Sequence, residues 1–323
     1  MLLNFRITNF RSINEIVELS MIPSDFKNPV NRIIKTNPNA TKNKDYYGLT
    51  SAAIYGPNAS GKSSIIKALF DFRKFVSNST DNKPNELIEL FIPFKLNDDS
   101  LKKPSCFSID ILIDNVLHIY SIEVLRNEIL KESLFFHPKG FPVKVFERYR
   151  QEFIKGNGYD GIFETIKQRT TENQLFLGKA AIENVEKAKV VYECIASMLI
   201  FTTDLFHSEN FNKTANKFVF GGLNDGGTIL KLSKSLIQKI DTQVVDFEER
   251  EGEIKTIHLN DKLERVEFEF SEESSGTQRI ISFSPLVFMA LKLGWVIVVD
   301  EFERSLHPEI AQYILGLFND PEV

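Results

Sequence analysis

Cysteine is scarce: Cys106 and Cys194 are the only two in 323 residues. Two thiols cannot build a disulfide framework or a four-cysteine zinc site, so a reducing cytoplasm is the simple expectation. Long apolar runs are missing too. No stretch approaches the roughly 18 residues that a membrane span needs, so no membrane is expected as a partner. The start, Met1-Leu2-Leu3-Asn4-Phe5-Arg6, turns polar too early for a signal peptide. No fixed-period repeat or sustained heptad occurs. Positive charge is in deficit, with 39 Lys and Arg against 44 Asp and Glu, a net charge of −5. Such a balance admits DNA as a partner but does not indicate it. Tryptophan occurs once, whereas phenylalanine occurs 28 times, dispersed through strand-like and helix-like segments as core packing would require. The 42% hydrophobic and 26% charged residues are globular values, which excludes a disordered or collagen-like chain.

The length fits two domains or one large α/β unit. Leu2 to Ile7 reads as a strand, residues 9–12 as a turn, and Ile13 to Leu19 as a second strand. Residues 23–48 read as loop, and the small apolar run Leu49 to Tyr55 as a buried strand. Ile65, Ile66, Leu69, Phe72 and Phe75 share a helical period, which predicts a helix from Ser63 to Val76. Alternation from Cys106 to Phe136, turning at Asp114-Asn115, and again from Val143 to Tyr149 predicts an antiparallel meander. Residues 160–215 and Thr228 to Lys239 read as helical, and Ile254 to Leu259 and Val266 to Phe270 as strands. Ser275 to Leu293 is apolar almost all round, hence a buried helix, with Pro285 predicting a kink or a break. The apolar run Trp295 to Val299 has the pattern of a central parallel strand, and Pro308 to Phe318 that of a last helix.

Three motifs carry chemistry. Gly56-Pro57-Asn58-Ala59-Ser60-Gly61-Lys62-Ser63, followed by Ser64, fits G-x-x-x-x-G-K-[ST] between a predicted strand and a predicted helix. Backbone N–H groups of such a loop curl around a β-phosphate, and the helix N-terminus adds a positive dipole end. Lys62 would reach the β- and γ-phosphates of ATP, and the Ser63 hydroxyl would ligate Mg²⁺. Second, Val296 to Val299 would deliver Asp300 and Glu301 to the C-terminal edge of a sheet. Asp300 would hold Mg²⁺ through water, and Glu301 would polarise the attacking water as general base. Third, Ser274-Ser275-Gly276-Thr277-Gln278-Arg279 opens the buried helix. Alone it reads as a plain N-cap; a phosphate-facing cap is the alternative.

The order of these motifs resembles an ABC-type ATPase of the AAA family, in the clan of SMC, RecF and OLD proteins, close to RloA-like and abortive-infection ATPases. The resemblance rests on Asn9-Phe10-Arg11-Ser12, Gly56 to Ser63, Glu272 to Arg279, and Asp300-Glu301-Phe302-Glu303-Arg304-Ser305-Leu306-His307-Pro308. The third motif is similar to the signature L-S-G-G-Q, with Ser274 for the Leu and Thr277 for the second Gly.

The implied fold is α/β, a P-loop NTPase head of ABC/SMC type with an antiparallel β-subdomain and a helical insertion. Residues 1–155 would form the N-terminal part of the head, 156–250 the mostly helical insertion, and 251–323 the C-terminal part. The resemblance implies a homodimer that sandwiches ATP between Gly56–Ser63 of one subunit and Ser275, Gly276 and Thr277 of the other. Ser305-Leu306-His307 would form the D-loop, and Arg11 would lie near the nucleotide. A separate effector, an RloB-like or Toprim nuclease, is implied for a role in anti-phage defence. Two further family features have no counterpart: a Q-loop glutamine between Val76 and Leu101, and a switch histidine after the last helix. His118, His137, His207 and His258 precede Asp300 and His307 belongs to the D-loop, so the expectation is a sequence cut short at Val323. A nucleotide-gated scaffold with little turnover and a RecF-like DNA-repair ATPase are the rival readings. Arg148, Arg150 and Lys155 form a small basic cluster, expected as a solvated strand edge, with contact to DNA phosphates as the sharper alternative.

Overall fold

The computed structural model describes residues 1–24, 32–36, 39, 45–58, 60–203, 227–240, 243–250, 253–302 and 308–320. Two compact units emerge, Met1–Ile200 and Phe201–Val323. The architecture is mixed α/β with a large antiparallel sheet.

The first unit is built on seven antiparallel strands in the order β2-β1-β5-β6-β7-β8-β9. They are β1 (Leu2–Thr8), β2 (Val17–Ser20), β5 (Ser105–Ile113), β6 (Val116–Leu125), β7 (Glu128–Phe136), β8 (Val143–Tyr149) and β9 (Glu152–Lys155). Asp114 and Asn115 close the β5–β6 hairpin with φ of 48° and 61°, the paired left-handed residues that match the twist of a two-residue hairpin. The register puts Ile7 opposite Phe107, Phe107 opposite Ile122, and Tyr120 opposite Leu134. Alternation then gathers Phe5, Ile7, Phe107, Ile109, Tyr120, Ile122 and Leu134 on one fully buried face.

Helix α1 (Lys62–Asn78) packs on that face through Phe72. The Phe72 ring lies 5.5 Å from Phe5, 6.0 Å from Phe107 and 6.2 Å from Tyr120. A second aromatic group surrounds Phe176, with Phe146 at 4.9 Å and Phe153 and Phe163 at 5.2 Å. Among the described residues, many of the phenylalanines are core, as expected, whereas Phe141 and Phe268 are exposed. Three short helices, α2 (Glu164–Gln168), α3 (Phe176–Ile182) and α4 (Glu186–Ala196), belong to this same unit, which ends within the short strand β10 (Leu199–Phe201).

Residues 23–48, expected as loop, contain an antiparallel pair, β3 (Arg32–Thr36) with β4 (Asp45–Leu49). The buried strand expected over Leu49 to Tyr55 is not formed. Strand β4 ends at Leu49, and Ala52, Ala53, Ile54 and Tyr55 are exposed and outside any strand. An apolar run states a preference for burial but supplies no neighbouring strand to satisfy it.

Arg148 corrects a further expectation. Instead of lying on a solvated edge, it is fully buried. Its guanidinium donates to the carbonyls of Arg150 at 2.5 Å, Gln174 at 2.6 Å and Thr171 at 2.9 Å. It lies 3.6 Å from the equally buried Glu132. The Glu132 carboxylate accepts from Tyr120 Oη at 3.0 Å and from the N–H groups of Phe176 and Leu177, both at 2.8 Å. Burial pushes the Glu132 carboxyl up, against the pull of Arg148 and the two backbone N–H groups. Arg150 is exposed and paired with Glu128, and Lys155 is exposed.

The second unit holds helix α5 (Thr228–Ile240) and a three-stranded antiparallel sheet, β11 (Asp246–Arg250), β12 (Glu253–Leu259) and β13 (Arg265–Glu269). Helix α6 (Ser275–Leu293), strand β14 (Ile297–Val299) and helix α7 (Pro308–Leu317) follow. Helix α5 packs on α6, and it buries Ile229, Ser233, Leu236 and Ile237 at helical spacing. Thr277 and every residue from Arg279 to Ala290 of α6 are buried, as its all-round apolar sequence requires. Pro285 does not break it; burial on every side holds the helix through the one N–H that proline removes. Gly294, at φ 66°, ends α6 in the left-handed region, its N–H bonded to the Ala290 carbonyl. The expected central strand is only three residues long and half-buried.

Two predictions follow from the core. Arg148→Ala strands the Glu132 carboxylate without its cation and should cost about 3–5 kcal/mol in urea unfolding, whereas Arg150→Ala should stay within about 0.5 kcal/mol. His118, on β6, is buried, which pulls its imidazole down to about 4. The folded state therefore refuses a proton that the unfolded chain accepts below about pH 6.5. Its contribution to stability is complete above that pH and declines as pH falls toward 4, and His118→Gln should flatten this limb of a stability–pH curve.

Candidate nucleotide-binding site

The first unit carries the glycine-rich loop. Gly61 has φ 95°, a conformation that side chains resist, and it turns the chain into α1 with Lys62 as the first helical residue. The N–H groups of Ser64 and Ile65 bond to the Gly61 carbonyl at 3.0 and 3.2 Å. No side chain caps this end, and its first turn has no acidic residue, so the positive end of the helix is uncompensated. Lys62 Nζ donates to the carbonyls of Gly56 at 2.7 Å and Pro57 at 2.9 Å, which draws the cation over the start of the loop. A Cβ on Gly56 would fall 2.8 Å from Ser60 Oγ, so any larger residue there would make the Ser60 hydroxyl turn aside. Ser63 is exposed at the first turn of the helix, next to Ser64. Ala59 lies outside the described residues.

The turn after β1 reaches this loop. Ser12 Oγ and Ser64 Oγ are 2.7 Å apart. Arg11, at φ 52°, pairs with Asp71 of α1 at 3.1 Å and lies over the Phe10 ring. Its N–H donates to the Ile92 carbonyl at 2.7 Å. Of the Asn9 to Ser12 segment, it is therefore Ser12 that touches the N-terminal turn of α1, while Arg11 is tied further along the helix.

The second unit carries the other two motifs. Asp300 is buried, and its N–H donates to the Phe201 carbonyl at 2.9 Å. Its Oδ2 accepts from Thr203 Oγ1 at 2.8 Å. Thr203 escaped the sequence reading because nothing marks a lone threonine 97 positions upstream as a partner. Glu301 is exposed, with φ 52° in the left-handed region. The adjacent carboxylates thus divide, one held inside and one presented outward. The Phe302 ring sits 5.9 Å from Phe283 of α6 and anchors the turn. Ser305, Leu306 and His307, the expected D-loop, lie outside the described residues.

At the start of α6 the N-cap is Ser274, whose Oγ accepts from the Thr277 N–H at 3.1 Å and pairs with Thr277 Oγ1 at 2.9 Å. Ser275 is exposed and Gly276 half-exposed, whereas Thr277 turns inward and is buried. Arg279 is buried too, and desolvation lowers its pKa. Among the described residues no group of three or more His, Cys, Asp or Glu is placed to hold a metal ion, and no helix is long and apolar enough to cross a membrane.

Comparison with known proteins gives one family. A family model described as "AAA domain, putative AbiEii toxin, Type IV TA system" matches residues 51–322. The SMC head domain from Thermotoga maritima aligns with 98% of this chain and 83% of that one, at 12% identity and a TM-score of 0.41. No curated protein matches the sequence. With that family model spanning the glycine-rich loop, the α6 cap and the Asp300-Glu301 pair, the chain belongs to this AAA ATPase family.

Proposed function

We propose that the chain binds Mg-ATP, dimerises on it and hydrolyses it, as the motor or sensor of a prokaryotic anti-phage defence system with a separate effector. The observation that carries this reading is the uncapped N-terminus of α1 behind Gly61, with Lys62 folded over the loop. Such an end offers N–H groups and positive potential to an anion, and Lys62 exchanges two neutral carbonyls for phosphate oxygens when one arrives. The Ser63 hydroxyl and the Asp300 carboxylate are hard oxygen donors of the kind Mg²⁺ takes. When bound, the ion neutralises charge developing on the phosphates. Thr203 fixes the orientation of Asp300. Glu301, exposed beside it, is the group that polarises the attacking water. Ser275 and Gly276 would meet the nucleotide of a second copy. The family's description as a toxin of a Type IV TA system supports the defence setting.

Lys62→Ala should abolish nucleotide binding in a fluorescent-ATP titration. Glu301→Gln should still bind ATP but accumulate as a dimer on size exclusion, with turnover reduced by at least about a hundredfold. Hydrolysis by Glu301→Gln at the unmutated rate would remove Glu301 from the role of base.

A further inference from the structure

We infer that Glu273 is a positioning residue for the signature turn, and that through Thr256 and His258 the β11–β13 sheet sets the aim of Ser275 and Gly276. The inference rests on the nucleotide reading proposed above.

Glu273 stands one residue before the N-cap Ser274, and its side chain is only 8% exposed. A carboxylate so enclosed must be bonded. Both of its side-chain partners come from β12: Thr256 Oγ1 donates to Oε1, and His258 Nε2 lies 2.6 Å from the same oxygen. Neither partner is loose. Thr256 is fully buried, and the His258 ring packs on Phe268 of β13 with centroids 4.5 Å apart. The main chain at Glu273 is held from the helix side, where Gln278 Nε2 donates to its carbonyl at 2.9 Å. Just upstream, Glu272 accepts from the Glu269 N–H at 2.7 Å in a capping box. The segment from Glu269 to Gln278 is therefore fixed at both ends, and Ser275 and Gly276 are the part turned outward. A helix cap needs only Ser274, which already satisfies the Thr277 N–H. The buried carboxylate adds something a cap does not, a rigid link from the first turn of α6 to a separate sheet.

The experiment uses the full chain with Glu273→Ala and Glu273→Gln. It reads ATP affinity, steady-state hydrolysis and backbone amide exchange over residues 274–290. Glu273→Ala should lower kcat about tenfold while leaving the Kd for ATP within about twofold. Exchange should accelerate at Thr277 and Gln278 while residues 280–290 keep their protection. Glu273→Gln, which can still accept from Thr256, should fold even if the alanine variant does not, and should recover most of the rate. An unchanged kcat in Glu273→Ala, a parallel loss of kcat and affinity, or glutamine no better than alanine would each overturn the inference. If the unmutated chain does not hydrolyse ATP, the turnover part of the nucleotide reading fails, and the exchange pattern alone decides the link: unaltered exchange at Thr277 and Gln278 overturns it.

Discussion

A guanidinium taken out of water must be bonded all around, and the first unit is organised about one that is. Arg148 draws the 171–174 turn onto β8, and Glu132 beneath it caps the first two N–H groups of α3. The same turn then reaches further. Gln174 donates to the carbonyls of Thr80 and Asn82, and Asn173 to those of Lys83 and Glu86. These residues follow directly on α1, so the helix that begins at the glycine-rich loop is moored at its far end to the buried charge. Phe72 holds its middle against the sheet. What remains for the loop end is a helix terminus fixed in place with its dipole unopposed, which suits an anion better than a terminus that moves.

The two helix starts solve the same problem differently. At α1, glycine replaces a capping side chain, and the N–H groups of Lys62 and Ser63, ahead of the Ser64 and Ile65 donors that bond to Gly61, have no side-chain cap. At α6, Ser274 takes one donor for the protein itself, so that terminus offers the exposed Ser275 hydroxyl and the Gly276 backbone instead. The first arrangement suits the phosphate-cradling role proposed for it, and the second the proposed contact from the edge.

Much of this was legible from residue types alone. The buried face of α1 and the meander with its Asp114-Asn115 turn depend on local rules of period and turn chemistry, and they stand as expected. What escaped depends on partners distant in sequence. Arg148 reads as surface because arginine usually is; its burial needs four carbonyls that only the folded 171–174 turn and Arg150 supply. The strand expected over Leu49 to Tyr55 had the right composition, but strand structure ends at its first residue. Pro285 marks a break by rule, but a helix buried on all sides outweighs one missing hydrogen bond. The Thr203 contact to Asp300 has no local signal at all.

The left-handed backbone at Glu301 narrows which side chains that position can host. Glycine and asparagine accept such a φ readily, unbranched side chains accept it with some strain, and valine, isoleucine or threonine resist it. A β-branched substitution there would reshape the turn that carries Phe302 onto Phe283, and with it the path of the chain leaving Asp300. Loss of activity in such a variant would report a displaced main chain as much as a missing carboxylate. Position 301 thus joins the proposed chemical role to a conformational requirement, and only a replacement that keeps the turn separates them.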